Sequence, residues 1–217
     1  MNKINPGIRL VLSLLFFLAL LAGRSQDVVN EFQERFYFDL GIKPIKQLQL
    51  EFIPEVRFED DFSVDEYLLE TELTYKPFRF LHLGGNYRFI INIRNNKETE
   101  YLNRYAIFTR FQKDIRRMTP SIRIMYTNYT DDDLDGKYMR YKAMLKYNIP
   151  KCKLTPYLSA ELFQHLEDNM IYKLRYKLKL AYEIFKNNFL EVSYRLDNYV
   201  HADRNRHIIS LGYELKL

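Results

Sequence analysis

The densest grouping of potentially reactive side chains is Asp131-Asp132-Asp133-Leu134-Asp135-Gly136. Carboxylates at alternate positions followed by a glycine can converge on a hard cation, so Asp131, Asp133 and Asp135 are candidate calcium ligands. The pattern departs from a full calcium loop at its twelfth position, where Lys142 stands in place of a bidentate Glu. Histidines form the second grouping. His165 follows Ser159 and Glu161, and His201 and His207 flank Asp203. A nucleophile and its base need hydrogen-bond reach, yet six residues of extended chain separate Ser159 from His165 by roughly 20 Å. Only a cross-strand Ser-His pair could work, and no catalytic residue is assigned. Cys152, the single cysteine, has no internal disulfide partner and reads as an incidental free thiol.

The third grouping is a set of charge rows. Glu66, Glu70 and Glu72 recur on one face of a short segment, with Glu51 and Glu55 on the segment before it. Lys173, Arg175, Lys177 and Lys179 alternate in another, and Arg140, Lys142 and Lys146 accompany them. Acids and bases are thus segregated by segment.

Charges at every second position require extended strands, and the hydrophobic period is two from Phe32 to the C-terminus. Phe32, Phe36, Phe38, Leu40 and Ile42 alternate with Gln33, Arg35, Tyr37, Asp39 and Gly41. The clearest strand sets Tyr172, Leu174, Tyr176, Leu178, Leu180 and Tyr182 against the Lys/Arg row. Eleven such strands can be counted; the fifth and sixth, near Glu100 to Gln112 and Pro120 to Tyr129, alternate least cleanly. Segments of about 10 residues match what is needed to cross a bilayer at a tilt. Short basic turns (Lys43 to Lys46, Lys113 to Arg117, Lys151 to Lys153) exchange with longer acidic loops (Glu59 to Asp65, Asp131 to Gly136, Glu167 to Asn169), the rhythm of short periplasmic turns and longer outer loops. The fold class that follows is all-β: a closed antiparallel transmembrane β-barrel of 10 to 12 strands. An even number is expected, because bacterial barrels normally have one.

The N-terminus supplies a route to such a membrane. Lys3 and Arg9, the apolar run Leu10 to Leu21, and small residues at Gly23 and Ser25 have the three parts of a secretory signal. The run is shorter than the roughly 20 apolar residues of a spanning helix. Residues 1–25 read as a signal peptide cleaved near Ser25, and 26–217 as the barrel. Removing Lys3, Arg9 and Arg24 leaves 30 basic and 28 acidic groups of the original 33 and 28, a balance that argues against a nucleic-acid partner.

At the other end Ser210, Gly212, Leu215 and Leu217 have the spacing of the terminal-strand signal resembling that read by the barrel-assembly machinery, with Leu in place of the commoner Phe. With its Gln26 start, Tyr-rich hairpins and acidic loops, the stretch Gln26 to Leu217 resembles the outer-membrane barrel family of Bacteroidetes grouped as domain of unknown function 2490. The resemblance implies a fold and an outer-membrane location in a Gram-negative cell, among outer-membrane lipid and lipopolysaccharide, and carries over no active residues.

If about 12 strands close the ring, the third and ninth lie on opposite walls some 24 Å apart. The acidic and basic rows would then face each other over water, as in a narrow, porin-like channel for polar solutes. Two alternatives within this class remain: the rows are neutralised by neighbours such as Arg57, Arg88, Glu161 and Glu191, and the lumen is closed; or the barrel is structural. Outside it stand a rim-located lipid-modifying enzyme and a surface receptor or adhesin. No cofactor other than the calcium of the Asp loop is implied.

Overall fold

A computed structural model describes residues 29–59, 62–93, 98–130 and 135–217; for Asp135 only the backbone in its strand is described. The signal segment, Asp131 and Asp133 lie outside the described residues. Eleven strands form one closed barrel: β1 (Val29–Ile45), β2 (Leu48–Phe58), β3 (Val64–Phe78), β4 (Leu81–Asn92), β5 (Glu100–Gln112), β6 (Met118–Tyr129), β7 (Asp135–Tyr147), β8 (Leu154–His165), β9 (Ile171–Phe185), β10 (Asn188–Tyr199) and β11 (Arg204–Lys216). Each pairs antiparallel with its sequence neighbour.

The closure departs from the expected even, wholly antiparallel ring. In an odd up-and-down ring the first and last strands run the same way, so β1 meets β11 in a parallel ladder, from Val29 beside Arg204 to Gly41 beside Lys216. Beyond the ladder, Leu217 N–H donates to Gly41 O at 2.7 Å and Lys43 N–H donates to Leu217 O at 3.2 Å, so the C-terminus is tied into the seam.

One end of the barrel carries turns of two residues after β1, β3 and β9 and connections of five and six after β5 and β7. This is called the turn end. The opposite, loop end has connections of four to seven residues. The first turn is Lys46-Gln47, because β1 continues through Pro44 after a register shift between Ile42 and Ile45. A bulge tolerates Pro, which has no N–H for the ladder. At the β9–β10 turn Asn187 takes the left-handed conformation, φ 64°, that asparagine tolerates.

Alternation decides what each face carries. Outward side chains such as Phe36, Leu69, Leu73, Ile122, Val192 and Leu211 are exposed around the ring, with aromatic residues towards both ends, including the stacked Phe78 and Phe80 at the turn end and Phe89 and Tyr101 at the loop end. The buried groups are mostly polar and point inward. One group of inward apolar residues explains why β5 and β6 alternate poorly: Ala106, Phe108, Met125 and Tyr129 form an apolar cluster inside the barrel, so both faces of these strands carry apolar residues.

Candidate functional site

The lumen is the place where the charged rows converge, and its two halves differ. Towards the loop end the interior is packed. Tyr129, Phe163, Lys173, Asp197 and Ile208 have no exposed surface and Arg57 is 1 % exposed. The charges in this half are paired between neighbouring strands. Arg57, on β2, meets Glu66 directly across on β3 and Glu55 two residues along its own strand, at 2.5 and 2.6 Å; Arg35 reaches Glu55 at 3.3 Å. Arg88 meets Glu70 at 2.5 Å and lies over the Tyr129 ring. Glu161 on β8 draws Arg140 at 3.0 Å, Arg123 at 3.3 Å and Arg175 at 4.0 Å.

A second centre forms around Asp197 on β10. Arg175 donates to both its oxygens, at 2.7 and 2.8 Å, and Lys173 and Arg195 each approach to 3.4 Å. Behind these cations stands Phe163, whose ring centroid is 4.5 Å from Arg140, 4.8 Å from Lys173 and 4.7 Å from Arg175. The negative face of an aromatic ring attracts cations that have left water. Phe163 and Asp197 together therefore hold four cations, Arg140, Lys173, Arg175 and Arg195, in a dry layer.

Towards the turn end the lumen widens into a cavity of about 550 Å³. Lys43, Lys76, Gln112, Lys146 and Lys216 surround its outer part, and it extends inward to Arg88, Lys142 and Glu191. Its walls differ in sign. Asp39, Glu51, Glu72 and Glu214 come from β1, β2, β3 and β11, whereas Lys142, Lys146, Lys177 and Lys179 come from β7 and β9. Several of these are engaged: Lys179 with Glu191 at 2.6 Å, Glu72 with Arg110 at 3.8 Å, Glu214 with Lys216 at 2.9 Å, and Lys146 over the Tyr157 ring.

All twelve residues of the charge rows thus lie on the strands expected. Glu55, Glu66, Glu70, Arg140, Lys173 and Arg175 are held in ion pairs, and Glu51, Glu72, Lys142, Lys146, Lys177 and Lys179 line the cavity. Asp197 escaped the sequence reading, although its place on the Glu191, Ser193, Arg195 face of β10 follows from alternation. Alternation sets Tyr37 with Gln33 and Arg35, opposite the phenylalanines, but its bond to Glu191, Oη to Oε2 at 2.6 Å, spans β11 and has no signal in any single strand.

The histidines are not brought to a serine. Ser159 lines the cavity. His165 is at the loop end, 3.0 Å from Asp168 and tilted against the Tyr138 ring. Asp168 lies in the loop outside the strands, and the Met170 N–H donated to it at 3.0 Å holds its carboxyl below the usual range. His207 faces outward, stacked on Phe32, with Nδ1 2.7 Å from Tyr194 Oη and Nε2 3.1 Å from Asn30 Oδ1. His201 is exposed in the last loop. Among the described residues no serine hydroxyl is hydrogen-bonded to any of the three. Cys152 is exposed in the β7–β8 turn. In β11 Ser210 and Gly212 point into the lumen, while Leu217 is exposed.

A family model described as "Protein of unknown function (DUF2490)" matches residues 35–207, from Arg35 in β1 to His207 in β11. No curated protein matches the chain.

Proposed function

Since this chain belongs to the family described as DUF2490, with the match running from within β1 to the start of β11, we propose that it is an outer-membrane barrel whose lumen is a blind polar vestibule, closed at the loop end. The observation that carries the reading is the inversion of its two surfaces. The outside presents Phe, Tyr, Leu, Ile and Val around the ring, and the inside is charged but paired and dry in its loop half. An apolar exterior flanked by aromatic residues suits hydrocarbon with interfaces on either side. Strands of 11 to 17 residues, at about 3.3 Å per residue and a tilt near 40°, cover a hydrocarbon core of about 30 Å.

In this reading residues 1–25 direct export, the turn end faces the periplasm and the loop end meets lipopolysaccharide. The terminal strand bearing Ser210, Gly212, Leu215 and Leu217 is handed to the barrel-assembly machinery. The dry layer around Phe163 and Asp197 argues for a closed barrel over a standing pore, because a water-filled path would leave these side chains accessible. Purified protein in planar bilayers is the test. Insertion without steady current at moderate voltage is expected. A steady ohmic current would overturn the closed lumen, and failure of correctly folded protein to enter bilayers would overturn the membrane reading.

A further inference from the structure

Lys142 and Lys177 reach the vestibule without an ion-pair partner among the described residues. Lys142 is directly across from Glu161, and Lys177 from Ser159, on either side of β8. The Glu161 carboxylate, however, is already taken by Arg123, Arg140 and Arg175. Lys179 is similarly satisfied by Glu191. What remains is a wall with two ammonium groups in excess, beside the hydroxyls of Ser159 and Tyr157, all lining one cavity.

Inward of Lys43 and Lys76, which sit nearer the turn end, the facing wall has the opposite surplus. Among the described residues, Asp39 Oδ1 is buried with no hydrogen-bond partner, and Glu51 is bonded only to the neutral Gln49 side chain, at 2.6 Å. Withdrawing a charge from water without a partner is costly, and here two half-buried groups of each sign line one pocket inward of its mouth. Glu51 on β2 and Lys142 on β7 are five strands apart in a ring of eleven, so they occupy opposite walls.

We propose that the vestibule binds a small zwitterion of short-peptide length, its carboxylate on Lys142 and Lys177 and its ammonium group against Asp39 and Glu51. Eleven strands at about 4.8 Å spacing and a tilt near 40° give a backbone diameter of about 22 Å. Side chains reaching in about 6 Å from each wall leave a gap of about 10 Å, the span of an extended tripeptide at 3.3 to 3.6 Å per residue. A cavity of about 550 Å³ accommodates that volume and is within the ordinary range for small-ligand sites. A ligand of this kind gives each surplus group a partner, and a molecule charged at one end only leaves the other wall unsatisfied.

The proposal rests on the blind-vestibule reading and deepens it. Its test is calorimetry on the full barrel refolded in detergent, with triglycine as the probe. Triglycine is expected to bind, and N-acetyl-triglycine and triglycine amide, each lacking one charge, to bind at least tenfold more weakly. Free glycine, too short to span the gap, should give no measurable heat. The Lys142→Met/Lys177→Met variant should lose triglycine binding, and Glu51→Gln should weaken it, with folding of each verified by heat-modifiable gel mobility. Equal binding of the capped peptides would overturn the proposal, as would absence of triglycine binding to a barrel that carries no current in bilayers. A barrel that binds triglycine with this selectivity yet conducts steadily would overturn the closed lumen and leave the site standing.

Discussion

Tyr37 on β1 reaches over Gly212 on β11 to donate its hydroxyl hydrogen to Glu191 on β10, at 2.6 Å. The tyrosine ring lies flat on the glycine: a Cβ at position 212 would come within 2.2 Å of it. The parallel seam is therefore clamped from inside by a side chain that skips a strand. Glu191 also accepts from Lys179 at 2.6 Å, which extends the clamp to β9.

Gly212→Ala should accordingly destabilise the barrel by about 1–3 kcal/mol, the usual cost of overpacking a closed interior. Tyr37→Phe, which keeps the ring and removes a hydrogen bond to a charged group, should cost about 1.5–3 kcal/mol. Urea unfolding in detergent micelles, followed by gel mobility, measures both. In the double variant the costs should not add, because the alanine already displaces the ring. Wild-type stability of Gly212→Ala would show that the seam does not depend on this contact.

Alternation alone specifies some strands of the barrel and fails at others. In β9 the Lys/Arg row and the Tyr/Leu row separate cleanly, and alternation alone assigns inside and outside. In β6 the same rule fails, since Met125 and Tyr129 are apolar and point inward to meet Phe108. The count of eleven was legible in the sequence, and only the expectation of an even number set it aside; the parallel meeting of β1 and β11 follows from the odd count. Single-strand patterns placed Glu66, Glu70 and Glu72 on the inner face but not their partners, because the Arg57–Glu66 pair depends on the β2–β3 register. The expected rows facing each other over water thus become, in the loop half, pairs along adjacent strands. Gly212 has the spacing of an assembly signal in the sequence; the ring of Tyr37 above it supplies a second, structural reason for glycine there.

The paired acids lead to a prediction about selectivity. Glu66→Gln/Glu70→Gln/Glu72→Gln removes one counter-charge from each of Arg57, Arg88 and Arg110. Breaking a buried pair from one side costs about 3–5 kcal/mol, so loss of stability is expected without any steady current. An open channel in this variant with anion selectivity would instead mean that the glutamates guard a conducting path.

Asp197 accepts two hydrogen bonds from Arg175, at 2.7 and 2.8 Å, and also draws Lys173 and Arg195. Asp197→Ala should be among the most damaging single changes, at about 3–5 kcal/mol. Lys173→Met, which removes one of its three cations but keeps a long side chain against Phe163, should cost far less. Thermal melts of the two variants measure the difference; equal losses would show that Asp197 does not organise the layer.

The two faces of β9 allow a direct test of orientation. Lys177 lines the vestibule, and Leu178 belongs to the opposite, outward set. In a Cys152→Ser background, Lys177→Cys in proteoliposomes should react with a small membrane-impermeant thiol reagent reaching the turn end. Leu178→Cys, in lipid, should stay unlabelled until the bilayer is dissolved. Equal labelling of both positions before solubilisation would remove the barrel from the membrane.

Phe163 offers the sharpest test of the closed lumen. Its ring has no exposed surface and is surrounded by the heads of Arg140, Lys173 and Arg175. Truncation to alanine removes the face those cations rest on, at a cost of about 3–5 kcal/mol. The void left is bordered by charged groups and by Asp197, so water, which needs polar partners to occupy a cavity, should fill it. The dry layer is then breached at one point. Phe163→Ala is expected to give small, steady currents in planar bilayers. Their selectivity should favour anions, because the exposed groups are mainly cationic and a charged constriction selects the opposite sign. Phe163→Leu retains enough bulk to keep the layer dry and should remain silent. A folded Phe163→Ala barrel with no current would place the seal elsewhere in the loop half, whereas steady cation-selective current would contradict the charge assigned to this constriction.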